Sequence, residues 1–234
     1  MIRMTGSAVA VQQNPVSLAN LQASVNHLAL FLSVLRCDRC DALGAEEPLL
    51  RGAEHPPQPG YIGARYAETR VMLVGQNPGV TTPRHRERDA RYIAALLDLN
   101  RQADQETYRT TGLVIEEYVP EWQLHGRHFP LHDCGLKLDQ IAFCNLVRCR
   151  TVKNSSPQAR VVGNCVSSHF EEWLAQLRPV IVVFLGKWAA DRGAASVTRF
   201  EIPFATVNRD RSLSAAERTA NRLRVVDAVR QAVG

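Results

Sequence analysis

Lysine is nearly missing from this chain. Of its 28 basic residues only Lys137, Lys153 and Lys187 are lysine, and the other 25 are arginine. Long apolar runs are missing too. The longest clean ones are Leu28 to Leu35, interrupted by Ser33, and Val180 to Leu185. Both are far too short to cross a bilayer as a helix. The first residues show no charged-then-apolar stretch with a small-residue cleavage site, so no secretory signal is expected. No internal repeat and no low-complexity tract is present, which sets aside solenoids and compositionally disordered chains. These absences lead to the expectation of a cytoplasmic, reducing location. Six cysteines in such a place read as metal ligands or buried thiols rather than disulfides.

What is present is an ordinary globular bulk. The 234 residues suffice for a sizeable core, and one domain over 1–234 is expected, with 1–13 frayed. The formal net charge is +5. That suits an anionic partner such as nucleic acid. It suits an arginine-rich solvated surface equally well, and charge alone does not choose between the two.

Short β-rich apolar runs alternate with helical patterns along the chain. Strands are predicted at Val71 to Val74, Ile141 to Val147, Val180 to Leu185 and Phe204 to Val207. Asn14-Pro15 reads as a helix start, followed by Leu18, Leu21, Val25, Leu28 and Leu32 at helical spacing. Further helices are expected from about Arg86 to Gln105, from Pro157 to Leu177, and after the capping box Ser214-Ala-Ala-Glu217. Residues 44–70 read as a covering loop, and residues 84–133 as an elaborated loop or insertion. The pattern predicts an α/β fold: a three-layer α/β/α sandwich around a central, mostly parallel four-stranded sheet. Gly75, Gly186 and Asn208 end three of the strands, and Asn145 lies near the carboxyl end of the fourth. In open parallel sheets ligands bind at that edge.

Four cysteines stand in two separated pairs. Cys37 and Cys40 form a C-x-x-C, while Cys149 and Cys165 lie far downstream. Thiolates are soft ligands, and four of them suit an iron–sulfur cluster or zinc alike. Cys134 and Cys144 are left over and read as buried thiols.

Gly75-Gln76-Asn77-Pro78-Gly79, directly after a strand, resembles the first motif of the uracil-DNA glycosylase superfamily. Asn145-Leu-Val-Arg-Cys149-Arg150 resembles the Asn-x-x-Lys-Cys-Arg segment of its iron–sulfur branch, the family 4 enzymes. Cys165 falls near where that branch places its last ligand. Trp173-Leu174, Arg178-Pro179 and the run Val180 to Gly186 resemble its helix–Pro–strand–Leu-Gly segment, and Cys37-x-x-Cys40-x-x-Leu43 lies upstream as that branch has it. The likeness spans roughly residues 35–230. It implies a four-iron cluster without a redox role, held by Cys37, Cys40, Cys149 and Cys165, with zinc as the alternative. It also implies a DNA partner and removal of uracil or a related deaminated or modified base. Two departures stand out. The iron–sulfur branch has Gly-Glu-x-Pro-Gly where this chain has Gln76-Asn77. Its last motif, His-Pro-Ser or His-Pro-Ala, is here Asn208-Arg209-Asp210.

Cleaving a base from deoxyribose builds positive charge on the sugar and negative charge on the leaving base. The base must first be flipped from the stack. On the resemblance, Asn77 orients the attacking water, and Gln76, with Gly75 and Gly79, shapes the pyrimidine site. The Asn145 amide can accept from uracil N3–H and donate to O4, a pattern that cytosine reverses. Its plain alternative is a strand asparagine bonded to neighbouring backbone, as Asn77 could simply support a turn. Asn208 stands where the histidine that stabilises the base anion belongs. Arg209 and Arg211 could hold phosphates or be solvated surface. No Phe follows the first motif, so Tyr92 or Phe129 are the substitutes for a stacking ring, each equally readable as core. No lysine near the motifs could form a Schiff base, so monofunctional hydrolysis is expected, by a monomer. The rival readings are a DNA-binding homologue that no longer turns over and a zinc-stabilised interaction domain.

Overall fold

The computed structural model describes residues 18–41, 49–79, 83, 86–118, 129–209 and 212–234. The predicted start of the first helix at Asn14-Pro15 and the frayed residues 1–13 lie outside this set. Five strands form one sheet: β1 (Tyr61–Ile62), β2 (Val71–Gly75), β3 (Ile141–Asn145), β4 (Ile181–Phe184) and β5 (Phe204–Thr206). Their spatial order is β1-β3-β2-β4-β5. β3, β2, β4 and β5 run parallel, and β1 pairs antiparallel with β3. All four predicted strands are therefore present. Every residue of β2 and β4, and of β3 up to Cys144, is buried. Strands covered on both faces carry continuous apolar runs rather than alternating ones, which is why these segments read so clearly.

The helices are α1 (Leu18–Leu35), the single turn α2 (Tyr66–Thr69), α3 (Arg86–Gln102), α4 (Gln105–Tyr118), α5 (Ala159–Cys165), α6 (Glu171–Leu177), α7 (Lys187–Arg199) and α8 (Ala215–Val233). A π-helical turn, Val166–Phe170, joins α5 to α6, so the single predicted helix ending at Leu177 carries a widened turn. Phe31 of α1 ties three of these elements together. Its ring meets Tyr108 of α4 edge-on at 5.1 Å and stacks at 6.0 Å on Trp173 of α6. The capping box opens α8 as predicted: Glu217 N–H donates to Ser214 Oγ at 3.2 Å, and Ser214 N–H to Glu217 Oε2 at 2.8 Å.

Two expectations need correction. The covering loop contains an edge strand and a helical turn. At two residues, β1 is too short to show a hydrophobic period, and it exists because Tyr61 and Ile62 pair with Phe143 and Ala142. The supposed insertion contains α4 after α3. Gly112 does not break α4, because Asp104 caps it, accepting from Thr107 N–H at 2.8 Å, and Thr111 and Ile115 are buried. Packing outweighs the roughly 1 kcal/mol propensity cost of one helical glycine. Cys134 and Cys144 are buried in the main core, as expected of apolar thiols.

α7 is held on the sheet by a close approach. A Cβ on Gly193 would lie 2.6 Å from Phe184 Cε1 and 3.2 Å from Leu146 Cδ2. Gly193→Ala should therefore lower stability by about 1–3 kcal/mol despite alanine's better helix propensity. A urea midpoint at or above the wild-type value would contradict this packing.

His169, in the π turn, is buried, and neither ring nitrogen has a partner among the described residues. Burial first, then the positive charges of Arg148 and Arg39, push its pKa down from 6.5 to about 4. The folded protein thus holds the neutral ring, and the unfolded chain takes up the proton more readily. Stability should be complete above about pH 6.5 and fall as pH drops towards about 4. The slope is up to about 1.4 kcal/mol per pH unit for one proton. In His169→Gln, urea denaturation across that range should lose this component of the slope.

Candidate active site

The carboxyl edge of the sheet is built from main-chain bonds that continue past the strands. Gly75 and Asn145 are partners in register. Beyond them Leu146 N–H donates to Gly75 O at 2.9 Å and Val147 N–H to Gln76 O at 3.0 Å. On the other side Leu185 N–H donates to Val74 O at 2.8 Å, and Val207 N–H to Phe184 O at 2.9 Å. Four strand ends are thereby locked side by side. Gly75 has to be glycine: a Cβ there would collide with Asn145 Oδ1. The absent side chain leaves room for the Asn145 amide to lie over the β2 backbone.

The predicted residues at this edge are largely brought together. Asn145 is half-buried, and its side chain has no hydrogen-bond partner among the described residues. It is therefore not a strand asparagine bonded to neighbouring backbone. Gln76 is half-buried, its carbonyl taken by Val147. Asn77 is half-buried and tethered by its nitrogen. Nδ2 donates to Thr151 Oγ1 at 3.1 Å and lies 3.3 Å from Pro78 O. Its Oδ1 has no donor among the described residues. Gly79 lies beside Asn154, whose Oδ1 would be 3.9 Å from a Gly79 Cβ.

Asn208 sits on the same edge, half-buried, just after β5. Its N–H donates to Asn221 Oδ1 at 2.8 Å, and Asn221 Nδ2 donates to Thr206 O at 3.0 Å. Asn221, on α8, thus pins the turn that carries Asn208, and no sequence signal marked it. β4 lies between β5 and β2, so about 10 Å of strand spacing separates Asn208 from the Gln76 loop. Arg209 is exposed and crosses towards the β4–α7 turn, its Cδ 3.8 Å from where a Gly186 Cβ would be. Arg211 lies outside the described residues.

Neither candidate for a stacking ring serves. Tyr92 and Phe129 are both fully buried in the main core. The ring that reaches the Gly75–Asn145 pair is Phe143, whose Cε2 would lie 3.7 Å from a Gly75 Cβ. It was hidden in the sequence as one more apolar strand residue. Arg150, in the same segment, is not a surface cation. It is buried, and both guanidinium ends pair with the Asp89 carboxylate of α3, one at 2.7 Å.

The two cysteine pairs approach one another. Burial is the main cause that pushes Cys149 up to about 12, with the charges of Cys165, Cys37 and Cys40 adding to it against Arg51. Burial likewise lifts Cys165 to about 11, with Cys40 and Cys37 contributing. Burial also raises Cys37, with Cys40 adding. N–H groups face the sulfurs. Asn164 Nδ2 lies 3.6 Å from Cys40 Sγ, and main-chain N–H groups of Arg39 and Arg148 donate to Cys37 and Cys165. Beside them Arg148 is buried, with its guanidinium 4.5 Å over Trp173; one terminal nitrogen donates to Pro59 O, its charge acts on Cys144, and Nε and the other terminal nitrogen have no hydrogen-bond partner among the described residues. A buried cation with orphaned donors calls for nearby negative charge, which thiolates would supply. Among the described residues no group of three or more His, Cys, Asp or Glu side chains is arranged to hold a metal ion. Cysteine sulfurs are soft donors, the chemistry that a thiolate-bound group would require.

No helix among the described residues is long and apolar enough to cross a membrane. No curated protein matches the chain significantly. The family model of the Uracil DNA glycosylase superfamily matches residues 63–220, a stretch running from just after β1 into α8. It takes in the Gln76-Asn77 loop, Asn145, Cys149, Cys165 and Asn208. Members of that superfamily are generally DNA glycosylases, hydrolases that act on DNA in base excision repair. With that match over more than half its length, on a parallel sheet whose edge gathers those residues, the chain belongs to the uracil-DNA glycosylase superfamily.

Proposed function

We propose that this protein is a monofunctional DNA glycosylase that hydrolyses the N-glycosidic bond of uracil, or a related deaminated base, flipped out of DNA. The observation that carries the reading is the pairing of two asparagines at one sheet edge. Among the described residues Asn145 is a half-buried amide without a partner, and Asn77 has its nitrogen tied and no donor to its oxygen. The Asn145 amide presents one acceptor and one donor side by side, as the N3–H and O4 edge of uracil requires. Cytosine would set donor against donor and acceptor against acceptor. A site built to hydrogen-bond a substrate edge discriminates strongly, because a mismatch strands buried polar groups.

Asn77 Oδ1 accepts a proton of the attacking water and aims its lone pair at the sugar. A weak base suffices, because the sugar is already cation-like when water adds. Phe143 walls the base beside Gly75. Asn208 lies across the cleft and would donate to the developing base anion, a role worth about 2.7–4 kcal/mol per donor in comparable sites. Arg209, at the β4–α7 turn, holds a phosphate of the flipped nucleotide.

Cys37, Cys40, Cys149 and Cys165 would hold a four-iron cluster, which when bound cross-links the end of α1 to the segment after β3 and takes no part in electron transfer. A cluster takes one thiolate per iron and so spreads its ligands more widely than zinc does. The buried charge of Arg148 and the N–H groups facing the sulfurs support an anionic centre of that kind.

The purified protein should contain iron and acid-labile sulfide, and Cys149→Ser should lose both. Stoichiometric zinc in their place would overturn the cluster. Incubation with oligonucleotides carrying uracil, hypoxanthine, xanthine or mismatched thymine should release free uracil. Asn145→Ala should reduce that release by about 100-fold or more with an unchanged circular-dichroism spectrum. Tight binding to uracil-containing DNA with no base released would instead make the protein a non-catalytic reader of flipped bases. Asn208→His decides the departed motif: a rise in rate marks Asn208 as a handicap, and a fall marks it as a specificity device.

A further inference from the structure

We propose that Thr151 is the positioning residue that fixes which end of the Asn77 amide faces the cleft, an inference that rests on the water-holding role given to Asn77 above. An asparagine can orient a water proton only through its oxygen, so the amide must be held against rotation by half a turn. Two groups read its nitrogen. Pro78 O is a carbonyl and can only accept. Thr151 Oγ1 is a hydroxyl and could accept or donate, but its single proton is committed to Ser155 O at 2.7 Å. Oγ1 is therefore left with lone pairs alone towards Asn77, and it accepts from Nδ2 at 3.1 Å. A turned amide would set Oδ1 against both acceptors.

The hydroxyl is itself rigidly held. Thr151 is fully buried and bridges to Leu49, and the preceding carbonyl of Arg150 accepts from Leu50 N–H at 2.8 Å. Its bond to Ser155 O closes a tight turn over Lys153 and Asn154. Both adopt left-handed backbone at φ 53° and 57°, a conformation that costs free energy in residues other than glycine. The strained turn brings Ser155 O back onto Thr151, and so takes up the one proton that would leave the Asn77 orientation undecided. Thr151 also lies two residues after Cys149. The polypeptide segment that supplies a sulfur ligand thus supplies the clamp for the water-holding amide.

The test uses the full-length protein with Thr151→Val, which keeps the shape and removes the hydroxyl, and Thr151→Ser, which keeps the hydroxyl. Thr151→Ala serves if the valine variant does not fold. In single-turnover and steady-state uracil release, Thr151→Val should lower kcat by about 10- to 100-fold. KM and affinity for DNA carrying a non-hydrolysable uracil nucleotide should stay at the wild-type values. Thr151→Ser should recover most of the rate. Independently of turnover, the Asn77 side-chain amide protons, observed by NMR and assigned through Asn77→Asp, should exchange slowly in wild type and Thr151→Ser. They should exchange at least about 10-fold faster in Thr151→Val, since the protecting bond is gone. Equal exchange in wild type and Thr151→Val overturns the proposal, as does equal loss of kcat in the valine and serine variants. A wild-type protein that releases no base refutes the glycosylase reading itself, and the exchange comparison then still decides the role of Thr151.

Discussion

The arrangement at the carboxyl edge depends on a short run of backbone, residues 145–151, that is bonded on both sides. Towards the interior it continues the β2–β3 ladder through Leu146 and Val147. Towards the outside its Arg148 and Arg150 carbonyls accept from Gln58 and Leu50 N–H groups, each at 2.8 Å. A segment clamped between two others has little freedom to shift register. Its side chains are consequently delivered to separate neighbours: Asn145 to Gly75, Arg148 to Trp173, Cys149 to the other thiols, Arg150 to Asp89, and Thr151 to Asn77. The bidentate Arg150–Asp89 pair extends the clamp to α3. Since the pair is buried, losing one partner would strand the other charge at a cost of about 3–5 kcal/mol. The identity of these residues matters less to stability than the completeness of their pairing.

Chemistry at this edge follows from groups left incomplete by the fold. A protein that satisfied every polar atom internally would have nothing to offer a ligand. Among the described residues several polar groups are left incomplete, and three of them bear on this edge. Among the described residues the Asn145 amide and Asn77 Oδ1 have no hydrogen-bond partner, and neither do Nε and one terminal nitrogen of Arg148. The first two are neutral dipoles, which carry none of the solvation penalty of a buried charge. The third is a buried cation whose charge acts on the thiols of Cys144 and Cys165.

Much of the fold was legible in the sequence alone. β2 and β4 announced themselves because strands buried on both faces carry no polar interruption, and α8 because its capping box is written in four consecutive residues. Cys37-x-x-Cys40, Asn77 and Asn145 stood out because their positions relative to those strands follow a family pattern. What stayed hidden was hidden for physical reasons. β1 is shorter than any hydrophobic period. α4 carries Gly112, and its start depends on one Asp104 side chain rather than on propensity. Tyr92 and Phe129 could be weighed as stacking rings because a sequence does not record depth, and Phe143 was overlooked for the same cause. Thr151 reaches Asn77 across 74 residues, and Asn221 reaches Asn208 and Thr206 across 13 and 15, separations at which a lone sequence carries no signal. Arg150 looked like one arginine among many until its guanidinium was found facing Asp89.

The widened turn between α5 and α6 has its own consequence. An α-helix advances about 100° per residue, so one extra residue in a turn rotates everything beyond it by that amount relative to an unbroken helix. Such bulges recur where a helix must satisfy two demands at once. Here Cys165 closes α5 beside the sulfurs, and eight residues later Trp173 reaches both the Phe31 ring and the Arg148 guanidinium. The extra residue works as a change of phase: it lets a single rod set Cys165 beside the other thiols at one end and Trp173 in hydrocarbon at the other, without a break in the chain between them.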